Sequence, residues 1–216
     1  MSLTSLLLLA DGRLPAGAHA HSGGVEAAVG TGRVHDLETL AAFLRGRLAT
    51  AGLVAAAFAA AAAASPSPER WTALDAGLDA RTPSPALRKA SRAQGRALVR
   101  AGRAMWTVTG LPPEPHHPVA LGAVAAAAGL APPRAALVAA YGTVTGPAAA
   151  AVRLLALDPY PVQGVLAAVA ADCDRTVELA ASYAHSDVDD LPAAGAPLLD
   201  ISAEDHATWE VRLFAS

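Results

Sequence analysis

The sequence predicts an all-α fold, a single-domain bundle of about nine or ten helices, and three observations carry that prediction. Hydrophobic residues make up 53% of the 216-residue chain while aromatics make up only 4%, so alanine dominates the apolar count. Alanine is the best helix former and buries little area, which favours many closely packed helices. Strands would draw on Val, Ile, Thr and aromatics, and the chain holds one isoleucine, Ile201. Proline and glycine, finally, punctuate the chain at intervals that suit helix starts and stops.

The elements follow in order. Ser2 is placed to cap a short first helix through Ala10, and a second helix begins near Val25. Asp36 caps the clearest amphipathic helix, with Leu37, Leu40, Ala41, Leu44 and Leu48 on one face and Glu38, Arg45 and Arg47 off it. Further helices are expected from about Gly52 to Ala64, and from Pro68 to Ala80 with Trp71, Leu74 and Leu78 inward. Ser84-Pro85 is a cap followed by a first-turn proline, and opens a long helix to about Thr107. The run Gly110-Leu111-Pro112-Pro113-Glu114-Pro115 ends it. Pro118, Pro132 or Pro133, Pro147 and Pro159 each stand where a proline opens a helix, and the last of these helices runs to about His185.

Residues 1–185 therefore read as one helical domain and residues 186–216 as a C-terminal tail. The tail holds seven acidic residues against one basic, Arg212. Its charge of minus six, set against minus three for the whole chain, leaves plus three on residues 1–185. It also carries apolar anchors, Leu198, Leu199, Ile201, Trp209, Leu213 and Phe214, which a purely solvated tail would not need. Either it packs on its own core or it docks on a partner. Trp209, Leu213 and Phe214 fall at i, i+4 and i+5, and Ser202 with Asp205 forms a near capping box, so residues 203–214 are expected to form a short amphipathic helix. Such a docking helix would be dispensable for the fold.

Composition also excludes. The lone Cys173 cannot form an internal disulfide, which suits a reducing cytosol. Met1 to Ala10 has no basic leader, and the apolar tracts 51–64 and 119–131 are too short to span a bilayer, so a cytoplasmic protein with no membrane partner is expected. With Lys89 as the only lysine and no phosphate-binding glycine loop, no nucleotide site of that kind is available. No cofactor is expected.

The densest functional signal lies in residues 14–26, Leu-Pro-Ala-Gly-Ala-His-Ala-His-Ser-Gly-Gly-Val-Glu. Pro15 fixes its φ, and Gly17, Gly23 and Gly24 are free to adopt positive φ, so the segment specifies shape. Glu26 then stands in a first helical turn, where the helix dipole favours a carboxylate. His19 and His21 would share one side of an extended backbone, as a metal-binding pair requires, which leaves a small helical metalloenzyme as the alternative function. Ser22 reads as a cap or turn hydroxyl rather than a nucleophile, because no nucleophile elbow surrounds it. A second signal lies in the long helix. Arg88, Arg92, Arg96, Arg100 and Arg103 fall within an arc of about 120° at 100° per residue, a stripe that needs acids facing it, internal or on a partner. Nucleic acid is disfavoured by the net negative charge.

Four segments resemble the UreF family of urease accessory proteins, in the family's order. They are the 14–26 turn, Ser91-Arg92-Ala93-Gln94-Gly95-Arg96-Ala97-Leu98, His117-Pro118-Val119, and the tail's Leu199-Asp200-Ile201, His206 and Arg212-Leu213-Phe214-Ala215-Ser216. The chain departs from the family pattern at His19, where an aromatic is expected, at Glu204, where methionine is expected, and at Ala207, where an acid is expected. The resemblance implies a non-enzymatic homodimeric scaffold that binds UreD (also called UreH) and recruits the GTPase UreG, so that nickel reaches the urease apoprotein. The helical spacing offers Arg88, Arg92, Arg96 and Arg100 as interaction residues, and the tail's match to the family adds His206, Trp209, Arg212, Leu213 and Phe214; Pro15, Gly17, Ser22, Gly23, Gly24 and Glu26 form a shape-determining motif.

Overall fold

The computed structural model describes residues 3–216, and among them every regular element is helical. The α-helices are α1 (Leu3–Ala10), α2 (Val25–Gly30), α3 (Leu37–Arg47), α4 (Leu53–Ala64), α5 (Pro68–Arg81), α6 (Pro85–Arg103), α7 (His117–Ala127), α8 (Pro132–Leu155), α9 (Pro159–Ala168), α10 (Ala170–Ser182) and α11 (Pro197–Ala207). Ser2, the expected first cap, lies outside the described residues. A single π turn, Leu48–Gly52, fuses α3 and α4 into one rod. No proline interrupts this stretch, so the two helices expected here run on as one, and the π turn absorbs the mismatch.

The core forms around α4. Its sequence is apolar on every side and residues 56–62 are wholly buried, which is the pattern of a central helix. α7, α8 and α10 surround it, α6 covers α7, and α5 closes the end near α4 and α7. Small side chains set the spacing. A Cβ on Gly122 of α7 would stand 2.4 Å from the Ala59 carbonyl oxygen and 2.5 Å from Ala62 Cβ on α4, so glycine and alanine together let these helices approach closely. Leu37–Ala64 and Pro132–Leu155 are long and apolar enough to cross a membrane by length and composition, yet most of each is buried inside the bundle.

The N-terminal boundaries follow their local chemistry. Asp36 accepts from the Thr39 amide while the Thr39 hydroxyl serves the cap's own amide, a reciprocal box. Ser67 and Ser84 cap α5 and α6 ahead of first-turn prolines. Pro118, Pro132 and Pro159 open α7, α8 and α9 as expected.

Four expectations are corrected. Pro147 lies inside α8 instead of opening a helix. Its ring leaves the Thr143 carbonyl without the usual amide partner, and Arg47 Nε donates to that oxygen at 3.4 Å. The helix after Ser84 stops at Arg103, well before Thr107. The helix expected from Pro159 to His185 is two helices meeting at the buried Val169, whose φ of −93° and ψ of 0° leave the helical region. The tail helix spans Pro197–Ala207, opened by Pro197, and residues 209–216 run on as irregular chain.

Candidate functional site

The four sequence segments assemble into two knots. The first joins the 14–26 turn to the tail. Gly17, Gly23 and Gly24 have φ of 78°, 62° and 87°, the left-handed conformation that makes glycine necessary there. The turn is held from within by Ser22, which is fully buried. Its hydroxyl accepts from the Gly24 amide at 3.2 Å and the Glu26 amide at 3.3 Å, and donates to the Ser216 carbonyl at 2.9 Å. The Ser22 amide donates to that same carbonyl at 2.6 Å, and the Ala215 amide donates to the Ala20 carbonyl at 2.7 Å. Ser22 is thus a turn hydroxyl that also fastens the tail.

Glu26 sits in the first turn of α2, but its carboxylate is turned toward the tail. It accepts the Leu213 amide at 2.6 Å, the Phe214 amide at 3.0 Å and His206 Nε2 at 2.8 Å. Both Glu26 and His206 are buried, and the carboxylate gives the buried His206 ring its hydrogen-bond partner while also holding the two tail amides. Phe214 is buried beneath the Arg153 guanidinium, 5.7 Å from the ring centroid. Trp209 stacks obliquely on His206 and lies so close to Gly30 that a Cβ there would fall 2.5 Å from the indole. Arg212 donates to the His206 and Ala207 carbonyls, closing the end of α11. Three residues before the end of α11, Glu204 accepts from the Ser84 hydroxyl and from the Ala86 amide at 2.8 Å. Glu204, at a position where the resemblance led methionine to be expected, is thus a carboxylate that caps α6.

Arg47, which sequence reasoning missed, ties this knot to the core. Its guanidinium donates to the Gly23 carbonyl and to the Thr143 carbonyl described above. Burial holds its pKa down to about 10. Nothing in the local pattern of α3 marks it, because both acceptors are backbone atoms of distant segments.

The second knot joins the Ser91–Leu98 segment to the entry of α7. A Cβ on Gly95 would fall 1.9 Å from the Pro115 carbonyl oxygen, so the loop before α7 lies directly on the glycine. His116 is 1% exposed. Its Nε2 is 2.8 Å from Asp79 Oδ1, its Nδ1 is 3.0 Å from the Ser91 hydroxyl, and its amide donates to Asp75 Oδ1 at 2.7 Å. The Ser91 oxygen also accepts the His117 amide at 3.1 Å. Arg92 bridges Asp75 at 2.9 Å and Asp79 at 2.6 Å, and donates to the Glu114 carbonyl. A cavity of about 130 Å³ lies between the two knots, with Ser91 and His116 on one wall and Leu199 on another.

The arginine stripe is therefore split. Arg88 donates to the Thr82 and Pro83 carbonyls, and Arg92 is consumed by Asp75 and Asp79. These two are internal ties, not free interaction residues. A signal for this pairing exists in the sequence: Asp75 and Asp79 are i, i+4 on α5, Arg88 and Arg92 are i, i+4 on α6, and only Thr82–Ser84 separates the two helices. Arg96 pairs with Glu114 at the surface, 2.9 Å apart. Arg100 is exposed, and its side chain makes no hydrogen bond or ion pair among the described residues.

Asp75, Asp79 and His116 place ligand-type atoms within 4.8 Å of one another, yet the Arg92 guanidinium already supplies the cation between the two carboxylates. The His19 and His21 pair is not extended. His19 is exposed in a single 3-10 turn, Ala18–Ala20, and His21 Nδ1 lies 2.7 Å from the Ser216 hydroxyl. That geometry removes the basis of the metalloenzyme alternative. Of the predicted tail residues, His206 and Phe214 are buried in this chain, Trp209 is half-buried, and Leu213 is 62% exposed. Pro15 is exposed at the start of the turn.

The histidines around these knots make the fold acid-sensitive. Burial, with a contribution from His21, pushes His117 down to about 4, and burial lowers His116 and His21. Each is neutral in the folded chain and takes up a proton more readily when unfolded, so stability is full above the ordinary histidine pKa and lost as pH falls. The His117 gap alone corresponds to about 3 kcal/mol at pH 4. Thermal melting followed from pH 7.5 to 4.5 is expected to show a fall in Tm that begins near pH 6.5 and is reduced in His117→Gln. A flat profile over that window would refute this.

A family model described as UreF matches residues 34–170. The chain is 51% identical over 218 residues to the urease accessory protein UreF of Mycobacterium sp. (strain JLS), and 50% identical over 219 residues to that of Mycolicibacterium vanbaalenii. It is 45% identical over 222 residues to the urease accessory protein UreF of Mycobacterium tuberculosis strain H37Rv. In each case the match covers 100% of this chain and 99% of the relative. The chain belongs to the UreF family of urease accessory proteins.

Proposed function

We propose that the chain acts in the cytoplasm as a homodimeric scaffold that binds UreD/UreH and recruits the GTPase UreG to the urease apoprotein, so that nickel is inserted into the enzyme. The observation that carries this reading is the state of the tail. Its buried residues lock it onto the 14–26 turn, while Leu198, Ile201, Val211 and Leu213 remain 67%, 66%, 89% and 62% exposed. Large apolar side chains fixed in place and left in solvent mark a protein-docking surface. The tail thus serves as a prefolded docking element for UreD rather than a segment that orders on binding.

Co-expression with UreD and UreG, followed by affinity purification through this chain, tests the reading. A complex retaining both partners is expected, with the isolated chain a dimer by light scattering at micromolar concentration. Leu198→Asp combined with Ile201→Asp is expected to lose UreD while keeping the wild-type melting temperature, because both side chains are exposed. Absence of any complex with the wild-type chain would overturn the scaffold reading.

A further inference from the structure

The outer face of α6 carries more positive charge than the knots consume. Lys89, Arg96, Arg100 and Arg103 are all exposed. At 100° per residue they fall within an arc of about 60°, and at 1.5 Å per residue they extend over about 21 Å. Arg88 and Arg92 lie to one side of this arc, where they meet Asp79 and Asp75 of α5. The helix is therefore divided lengthwise into a flank tied to its own fold and a ridge facing solvent.

The charges that face the ridge are few. Glu114 pairs with Arg96, whose side chain is 46% exposed despite the contact. Arg103 is tethered by Nε to the Val108 carbonyl at 3.1 Å. Lys89 and Arg100 have no ion-pair partner among the described residues. Beyond Arg103 the helix gives way to a shallow, open hollow formed by residues 103–110, where Met105 and Trp106 lie beside Thr107 and Thr109, with Met105 38% exposed.

A row of like charges on one helix face is mildly destabilising in the isolated chain, so its presence calls for an opposite charge from elsewhere. We propose that the Lys89–Arg96–Arg100–Arg103 ridge is the docking surface for an acidic protein face, a row of carboxylates about 20 Å long, ending in an apolar side chain that enters the Met105–Trp106 hollow. This rests on the scaffold reading and names the chemistry of one of its partners. Arg96 and Arg100 supply planar forks suited to paired carboxylates. Nucleic acid is the less suitable occupant, since the chain carries a net charge of −3 and the ridge has no aromatic interleaving for base stacking.

The test is co-purification and titration of the full chain with its co-expressed UreD and UreG partners. Arg96→Glu with Arg100→Glu is expected to weaken assembly by about tenfold or more. The gap should be largest near about 50 mM NaCl and shrink toward about 500 mM. Circular dichroism and Tm should stay at wild-type values, because neither side chain is buried. Arg13→Glu with Arg134→Glu, which changes net charge equally away from the ridge, should assemble normally. Wild-type binding retained in the ridge variant would overturn the proposal while leaving the scaffold reading intact. Equal weakening by the off-ridge pair would also overturn it, as would displacement of the partner by duplex DNA. Failure of the wild-type chain to assemble would instead strike at the scaffold reading itself.

Discussion

Deleting residues 198–216 is expected to lower the melting temperature by about 10 °C or to leave the chain insoluble. The deletion removes the buried Phe214 and His206, and strips Leu199 and Trp209 from Gly24 and Gly30. Burying one large aromatic contributes about 2 kcal/mol, and the lost hydrogen bonds at Glu26 and Ser22 add about 1 kcal/mol each. A total of about 4 kcal/mol corresponds to roughly 8–16 °C for a chain of this size. Part of the effect falls on the start of α6, where the Ala86 amide and the Ser84 hydroxyl lose the Glu204 carboxylate. Scanning calorimetry of the truncated chain checks this. An unchanged Tm would restore the view of the tail as a dispensable docking segment.

What was legible in the sequence was local. Pro68, Pro85, Pro118, Pro132 and Pro159 announce helices because a first-turn proline acts on its own residue and its nearest neighbours. Pro147 has the same local appearance, yet it sits mid-helix because Arg47, 100 positions earlier, takes over the carbonyl it orphans. The glycines of the 14–26 turn likewise declared their positive φ, since only glycine adopts it freely. Their purpose did not show, because Leu199, Ser216 and the tail amides approach from more than 170 residues away.

The same division explains the site residues. Order and identity of the four segments were readable, and they implied the family that the comparisons establish. Their pairing into two knots was not, because contacts between distant segments leave no period in the sequence. Trp209, Leu213 and Phe214 fitted a helical spacing, but the Glu26 carboxylate captures the Leu213 and Phe214 amides, which draws the chain out of helix. The arginine stripe was visible as a geometric fact. Which arginines remain free depended on α5, whose own carboxylate pair faces Arg88 and Arg92.

Two glycine-to-alanine changes separate packing from propensity. Gly95→Ala is expected to cost more than about 3 kcal/mol, the upper range for forcing atoms into a packed interior. The new Cβ would begin 1.9 Å from the Pro115 carbonyl oxygen and 3.1 Å from the His116 carbonyl carbon. The contact is with backbone, so no side chain can rotate away. Relief requires the 111–116 loop to lift from α6, and that motion pulls His116 from Asp79 and Ser91 and the Glu114 carbonyl from Arg92. The buried imidazole and the Asp75 carboxylate then lose partners that water does not readily replace. Gly142→Ala provides the contrast. Gly142 lies inside α8, is exposed, and has nothing within 4 Å of its Cβ position. Alanine there gains helix propensity and restricts the unfolded chain, a stabilisation of about 0.5–1 kcal/mol. Denaturant melts of the two variants should therefore move in opposite directions from wild type. If Gly95→Ala melts within about 1 kcal/mol of wild type, the close approach of α6 to the loop is not a packing constraint, and the second knot does not hold the entry of α7.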